Sequence, residues 1–179
     1  GMWAGAEYLG NGLLTRLPVH SEQALWLPGG RSAAHLTTPL HGRLLPIVCT
    51  HLDHVDAATR LDQWDALCDA LDDLPQAVLL GDLNALTRSD HTDDDWHDIA
   101  RHRSMSGWEP PQSLLMDAIA AAGFRDAVGP LGGTCRFGTR IDYVLLGPDC
   151  PLTATGGEHL DGDGLSDHSV VLAELAVAF

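Results

Sequence analysis

The chain has 179 residues and a formal net charge of −15, from 25 acidic residues against 10 basic ones, all of them arginine. This length is enough for one domain with a hydrophobic core, and a hydrophobic content of 45% indicates a globular chain rather than a disordered one. So negative a surface repels a phosphate backbone, which argues against tight, non-specific binding of long nucleic acid.

The cysteines and the apolar segments indicate the compartment. Cys49, Cys68, Cys135 and Cys150 lack Cys-x-x-Cys spacing, which argues against a zinc site, and Cys49 lies in an apolar run where a buried free thiol is expected. No apolar stretch approaches the roughly 20 residues of a spanning helix, and no charged segment precedes an apolar one at the start. We therefore expect a soluble, cytoplasmic protein in a reducing compartment.

Short apolar segments in the first third of the chain predict strands. Residues 9–19 read as a Gly-Asn-Gly turn and a strand stopped by a proline, and residues 24–27 and 34–38 read as two further strands. Residues 44–52 form a longer apolar run that ends in Thr50 and His51. The pattern predicts a meander whose last strand is buried and ends on a polar pair.

An amphipathic helix is predicted next. Apolar residues recur every three or four positions between residues 55 and 74, with aspartates between them, and Pro75 prevents continuation. The apolar residues 77–80 then predict a buried strand that ends in Gly81, Asp82 and Asn84. This strand-helix-strand order is typical of an α/β domain.

Residues 87–112 are predicted to form a long polar loop, which contains an acidic cluster at residues 90–98. The cluster is either a cation site or a solvated acidic loop, and we favour the loop because nothing apolar fixes its geometry. Beyond it, Ser113 is expected to cap a helix over residues 114–122, which Gly123 ends. Residues 141–146, 152–155 and 169–177 read as strands.

Polar side chains follow four of these predicted strands. The groups are His51 after Thr50, Asp82 with Asn84, Asp142, and Asp167 with His168. Each has a structural explanation on its own: a core histidine, a turn, a pair with Arg140, a turn cap. Together they supply what phosphoester hydrolysis requires, namely oxygen ligands for a hard cation, an acceptor for a water proton, and imidazoles to hold a phosphoryl oxygen.

Five motifs occur in the order found in one known family. They are GNGLLTRLPV from Gly10, THLD from Thr50, GDLN from Gly81, RIDY from Arg140 with Thr134 before it, and SDH from Ser166. In this ordered set the chain resembles the endonuclease/exonuclease/phosphatase superfamily from residue 9 onward. The resemblance implies an α/β fold of two packed mixed β-sheets flanked by helices, a four-layer α/β/β/α sandwich.

The resemblance also implies a mechanism and a set of site residues. A metal-dependent phosphoesterase of this family hydrolyses a P–O bond by in-line attack of water, with Mg²⁺ as the cofactor and Mn²⁺ as an alternative. Carried over by motif, the catalytic residues are His51, Asp82, Asn84, Asp142 and His168. The implied metal ligands are Asp82, Asn84 and Asp167.

The chain also departs from the family pattern. The family domain opens with two more strands and a helix, which carry an asparagine and a metal-binding glutamate, and neither has a counterpart here. We therefore interpret residues 1–179 as one domain corresponding to the C-terminal two thirds of the family's, and expect weak cation binding. Missing strands would leave sheet edges and an apolar face bare, so a second copy or a separate chain is expected to cover them.

Three functions remain open at this stage. The leading one is a phosphoesterase acting on a small or lipid-linked phosphoester. The second is a catalytically impaired relative that serves as a binding or assembly module. The third is a nuclease, which requires arginines to gather on the rim of the site.

Overall fold

The computed structural model describes residues 2–6, 9–162 and 164–177. Its helices are α1 (Ala57–Ala70), α2 (Asp93–Met105) and α3 (Leu114–Ala121). Its strands are β1 (Met2–Ala6), β2 (Leu9–Leu13), β3 (Ser21–Leu27), β4 (Arg31–Leu40), β5 (Arg43–His51), β6 (Val78–Asp82), β7 (Arg125–Asp126), β8 (Asp142–Leu146), β9 (Leu152–Leu160) and β10 (Val170–Val177). Among the residues so described, no helix is long and apolar enough to cross a membrane.

Six strands form a mixed central sheet in the order β3-β4-β5-β6-β8-β7. The β5 and β6 strands run parallel and are joined through α1, whereas the other neighbours pair antiparallel. Two separate hairpins, β1 with β2 and β9 with β10, form further antiparallel pairs. The predicted fold class, packed mixed β-structure with helices, is confirmed.

The register of β5, β6 and β8 arranges one face of the central sheet in rows. The first row holds Ile47 of β5, Val78 of β6 and Leu146 of β8. The next row of the same face holds Cys49, Leu80 and Val144. The last row holds His51, Asp82 and Asp142. Because residues two apart on a strand point to the same face, the apolar rows run directly into this polar row.

The opposite face of the sheet forms the main core with α1 and α3. Val48, Leu79 and Leu145 lie on this face and are at most 2% exposed. They pack with Leu67 of α1, which is fully buried, and with the edge-to-face pair of Trp64 and Phe124, whose ring centroids are 5.5 Å apart. Burial of this apolar surface supplies the main driving force for folding.

The hairpins cover the outer parts of the first face and leave its middle open. β2 contacts β5, and β10 contacts β8 on the other side. Between them Ile47, Cys49, Leu80 and Val144 are only partly buried. In the described part of the chain β2 pairs with β1 alone and β10 with β9 alone, so each keeps an unpaired edge.

The predicted turn at Gly10-Asn11-Gly12 is wrong. These residues lie inside β2, where Gly10 pairs with Gly5 and Gly12 with Trp3 of β1. The Asn11 side chain does not close a local turn; its Nδ2 donates to the carbonyl oxygen of Ser32 at 2.7 Å. A tertiary contact therefore overrides the local turn preference.

The prediction that residues 87–112 form a long polar loop is also wrong, since α2 lies within them. Thr92 accepts a hydrogen bond from the Asp95 backbone N–H, and the Asp95 carboxylate accepts one from the Thr92 backbone N–H, a reciprocal capping box. Aspartates at residues 93–95 stand at the positive end of the helix, and His102 and Arg103 at its negative end. Capping and charge placement stabilise a helix that buries none of its residues.

The two other helices end or begin close to their predicted bounds. α1 ends at Ala70, before a short 3₁₀ turn at Leu74–Gln76 that contains Pro75. Ser113 precedes α3, but its hydroxyl donates to the Asp117 carboxylate at 2.7 Å and accepts no hydrogen bond from the helix. The predicted capping by the Ser113 side chain is therefore wrong.

Gly81→Ala is expected to destabilise the fold by more than about 3 kcal/mol. Gly81 has a φ of +134°, and a Cβ there would overlap the carbonyl oxygen of Thr50 on the adjacent strand. The matched control is Gly107→Ala, at a φ of +70° in open space, which is expected to cost about 1 kcal/mol. Urea denaturation compares the two, and equal losses would show that the approach of β5 to β6 is not tight.

Candidate active site

Three of the predicted residues lie side by side at the ends of their strands. His51 ends β5, Asp82 ends β6 and Asp142 begins β8, and the strand pairing aligns all three. The His51 Nε2 atom is 3.5 Å from Asp82 Oδ2. The Asp82 side chain is 14% exposed and that of His51 47%, so the row lies at the mouth of a depression rather than in the core.

Asn84 is fixed against this row by the turn that follows β6. The residue has a φ of +50°, a conformation that asparagine tolerates better than most residues. Its backbone N–H donates to Asp82 Oδ1 at 2.9 Å, and its Nδ2 donates to the carbonyl oxygen of Leu52 at 3.1 Å. These bonds orient the Asp82 carboxylate and leave the amide oxygen of Asn84 as an acceptor.

His168 reaches the row from the chain just before β10. Its Nδ1 is 2.9 Å from Asp142 Oδ2, and the Thr134 hydroxyl donates to the same oxygen at 2.7 Å. The Thr134 Oγ1 in turn accepts from the backbone N–H groups of Ile141 and Asp142, at 3.0 and 3.1 Å. Thr134 is fully buried, so this network fixes the orientation of the Asp142 carboxylate and, through it, of the imidazole.

Asp167 is placed differently from the other predicted residues. Its carboxylate lies 3.6 Å from Arg136 Nη1, and the side chain is 56% exposed. The carboxylates of Asp82 and Asp142 and the His168 imidazole each offer a ligand atom within 4.8 Å of the others. The structure thus gathers His51, Asp82, Asp142 and His168, with Asn84 at the edge, and turns the Asp167 carboxylate toward an arginine.

Burial and neighbouring charges shift the proton affinities of the row. Burial and the adjacent Asp142 carboxylate raise the pKa of Asp82 from 3.8 to about 6. Burial would lower the pKa of His168, but the hydrogen bond and charge of Asp142 outweigh it and raise that pKa above its ordinary value. Burial, together with the Arg31 and His168 charges, lowers the pKa of His51. The proton affinities of the two imidazoles are therefore shifted in opposite directions, up for His168 and down for His51.

The donor atoms of the row fit a hard divalent cation. Carboxylate and amide oxygens are the ligands that Mg²⁺ prefers. Asp82 and Asp142 offer carboxylate oxygens within 4.8 Å of each other, and the turn after β6 brings the Asn84 amide to the edge of the row. Asp82 and Asp142 repel each other, and burial together with this repulsion raises the pKa of Asp82 more than the Asn84 N–H, His168 and Arg31 lower it. A cation between them would remove this repulsion.

Comparison with known proteins identifies the fold. No protein-family model and no curated protein matches the chain. Solved structures do match, among them an endonuclease/exonuclease/phosphatase from Bacteroides vulgatus with a TM-score of 0.65 and 18% identity, over 90% of this chain and 66% of that one. The chain has the endonuclease/exonuclease/phosphatase fold.

Two other structures of this fold extend the comparison. The human Nocturnin catalytic domain, solved with a bound sulfate anion, matches with a TM-score of 0.64 and 17% identity, over 91% of this chain and 61% of that one. A mannosyl-6-phosphatase from Bacteroides thetaiotaomicron matches with a TM-score of 0.59 and 15% identity, over 89% of this chain and 67% of that one. The chain therefore spans about two thirds of the length of the structures it matches.

The endonuclease/exonuclease/phosphatase fold also brings Arg31 and His54 close to the row, and the motifs indicated neither residue. Arg31, the first residue of β4, has its Nη2 2.9 Å from His54 Nδ1, and its charge acts on both His51 and Asp82. Arg31 lies 20 residues before His51 and follows a Pro-Gly-Gly turn, a context with no chemical signature. Only the pairing of β4 with β5 brings it near the site.

The segment after His51 is held by buried polar side chains. The Asp53 backbone N–H donates to Gln63 Oε1 at 2.8 Å, and Gln63 Nε2 donates to the Pro28 carbonyl oxygen at 2.8 Å. Arg60, which is 1% exposed, donates to the Asp53 carbonyl oxygen at 3.1 Å and pairs with Glu109. These contacts fix the loop that carries His54 beside the row.

Asp82→Asn is expected to stabilise the cation-free protein above pH 6 by up to about 3 kcal/mol, since each unit of pKa shift is worth about 1.4 kcal/mol. The pKa of Asp82 is raised to about 6 in the folded state, so ionisation there is less favourable than in the unfolded chain. Stability of the native chain is thus lost as pH rises from about 4 through 6. Urea denaturation in EDTA at pH 4, 6 and 8 tests this, and a gain that does not grow with pH would contradict it.

Proposed function

We propose that this chain is a divalent-cation-dependent phosphoesterase that hydrolyses a small or lipid-linked phosphoester. The observation that carries the proposal is the hydrogen-bond network from buried Thr134 through Asp142 to His168, which holds an imidazole of raised pKa within reach of the Asp82 carboxylate. A positioned carboxylate with an oriented imidazole supplies a proton acceptor and a hydrogen-bond donor on one site. The fold is one that a phosphatase uses, as the Bacteroides thetaiotaomicron structure shows for that protein.

Each of the residues gathered at this site has one role in the proposed reaction. Bound Mg²⁺ would polarise the phosphoryl oxygens and neutralise the charge that develops on them. Asp82 accepts a proton from the attacking water, whose oxygen forms the new bond to phosphorus, and Asn84 holds that water in line. His168, oriented by Asp142, donates a hydrogen bond to a non-bridging oxygen, and His51 donates another. The P–O bond to the leaving group breaks on the side opposite the attacking water. The departing oxygen takes a proton from solvent, and Asp82 releases to solvent the proton that it accepted.

The positions of the arginines support a small substrate rather than long nucleic acid. Arg140 is buried between Asp90 and Asp126, while Arg88 pairs with Asp93 and Arg101 with Asp98. Arg103 and Arg136 do line the cavity beside the row, but their guanidinium groups face Glu109 and Asp167 at 3.8 and 3.6 Å. No open cationic groove for a polyphosphate backbone is formed by these arginines.

His168→Ala and Asp142→Asn are each expected to lower kcat for hydrolysis of p-nitrophenyl phosphate or its bis-ester by roughly 10²–10⁴ in the presence of Mg²⁺. The first removes the donor to the phosphoryl oxygen, and the second removes the charge that raises the pKa of the imidazole. His41→Asn is the matched control because His41 is exposed in the β4–β5 turn, where its φ of +47° also suits asparagine.

Circular dichroism of each variant shows that it folds. Titration of the wild-type protein with Mg²⁺ and Mn²⁺ by calorimetry measures cation binding separately from turnover. Unchanged rates in both variants would reject the assignment of the row as the catalytic site, whereas a wild-type protein that neither binds cations nor turns over either ester would reject the phosphoesterase itself.

The second candidate function, an assembly module, is favoured by the open strip between the hairpins. Ile47, Cys49, Leu80 and Val144 are partly exposed there, and the unpaired edges of β2 and β10 flank them. An unpaired edge beside an apolar face is a surface on which another strand can add. A second copy of the chain can do so by antiparallel pairing of identical edges about a twofold axis.

If the module is formed by two copies, light scattering at micromolar concentration gives twice the chain mass of 19.1 kDa. Amide hydrogen exchange at Val170–Val177 then slows as concentration rises, because the edge of β10 becomes paired. A mass of one chain with fast exchange at this strand would exclude the dimer. Exchange of the internal strand β5 is the control, since it is paired on both sides in a single chain.

A further inference from the structure

A cavity of about 670 Å³ opens beside the row of His51, Asp82 and Asp142. His168 and Asn84 line it on the side of the row. Its other side is lined by three rings, His102 of α2, Trp108 from the loop after α2, and Phe137 from the loop after Thr134. A molecule whose phosphoryl group lies on the row therefore projects its remaining part toward these rings.

The three rings form a compact cluster, here called the ring cluster. The centroids of Trp108 and Phe137 are 5.1 Å apart at an interplanar angle of 85°, and those of His102 and Trp108 are 5.8 Å apart at 82°. The Arg136 guanidinium lies 4.8 Å from the centroid of Phe137. Edge-to-face contacts of this kind fix the direction of each ring face.

Backbone contacts connect the loop of Phe137 to His168, which lies beside the row. Cys135 forms an antiparallel bridge with His168, and the Arg136 N–H donates to the Asp167 carbonyl oxygen at 2.8 Å. Phe137 follows directly, so its ring is held at a fixed distance from the imidazole. On the other side, Glu109 accepts from the backbone N–H of Ala57 at 2.8 Å and pairs with Arg60, which positions the adjacent Trp108.

The exposure of the rings distinguishes a binding surface from core packing. Trp108 is 46% and Phe137 47% exposed, although each contacts its neighbours. Rings that served only to pack α2 against the rest of the chain would be mostly buried. The two arginines next to them face carboxylates, as described above, so this side of the cavity presents ring faces rather than net positive charge.

We propose that the ring cluster binds the leaving group of the substrate and that this group carries a flat, uncharged aromatic ring, as in an aryl-alkyl or nucleoside phosphoester. The inference rests on the proposed function, because it assigns the phosphoryl end to the row. A flat ring gains stacking and apolar burial on Trp108 and Phe137, whereas an anionic group gains little there, because Arg103 and Arg136 on the same wall already face Glu109 and Asp167.

Benzyl phosphate and propyl phosphate test the ring cluster, since both are esters of primary alcohols and differ in the ring. The wild-type protein should hydrolyse benzyl phosphate with the higher kcat/KM. In Trp108→Ala and in Phe137→Ala the benzyl-to-propyl ratio of kcat/KM should fall about tenfold, the equivalent of one stacking contact. Trp26→Ala is the matched control, because Trp26 is 66% exposed on the edge strand β3 and should leave the ratio unchanged.

Binding of benzylphosphonate, which cannot be hydrolysed at its P–C bond, separates this inference from the proposed function. It should change the tryptophan fluorescence of the wild-type protein, and Trp108→Phe should abolish that change. An equal fall in kcat/KM for benzyl and propyl phosphate in the variants would overturn the assignment of the ring cluster. A fluorescence change that persists in Trp108→Phe would overturn it as well. Phosphonate binding at Trp108 without turnover of either ester would support the ring cluster and reject the phosphoesterase.

Discussion

The parallel pairing of β5 with β6 is the constraint from which the site follows. Its register places His51 beside Asp82, and a slip of one residue would move these side chains to opposite faces of the sheet. Gly81 permits this pairing because no side chain separates it from the Thr50 carbonyl oxygen. Antiparallel pairing of β6 with β8 then adds Asp142 to the same row.

The two carboxylates of the row differ in how far their negative charge is compensated. Asp142 accepts hydrogen bonds from Thr134 and His168, so its negative charge is shared with two donors. Asp82 accepts from the Asn84 N–H and stands next to His51, whose pKa is lowered, and its own pKa rises to about 6. The same arrangement costs stability in the cation-free chain and places a carboxylate of raised proton affinity beside an oriented imidazole.

The strand ends of the site could be predicted because each is encoded locally. An apolar run that is followed at once by His51, or by Asp82 and Asn84, predicts both a strand and its polar end. Because such strand ends meet at one edge of a sheet, these side chains are predicted to lie close together. The contact of His168 with Asp142, residues 26 apart, came only from the resemblance. The periodicity of apolar residues in the sequence gives no reason to expect this contact.

Other parts were missed because their causes are tertiary or lie outside apolar periodicity. The strand β2 contains a Gly-Asn-Gly sequence that favours a turn, yet pairing with β1 and the bond from Asn11 to Ser32 hold it extended. The helix α2 buries no residue, so its only sequence signals are the Thr92–Asp95 capping pair and the charges at its ends. The ring cluster unites Trp108 and Phe137, which lie 29 positions apart in two loops, a spacing that no local pattern predicts.

A net charge of −15 does not by itself decide whether an anionic phosphoester can enter the site. The field at the row is set by groups within a few ångströms, and interactions beyond about 8–10 Å are screened in physiological salt. Arg31 acts on His51 and Asp82 from one side, and His168, of raised pKa, stands on the other. Distant acids at residues 62, 65, 69 and 72 lie on or just after α1, on the far side of the central sheet. An acidic surface is therefore compatible with a site that accepts a single phosphoryl group. A long polyanion, in contrast, would have to lie along the acidic surface as well as in the site.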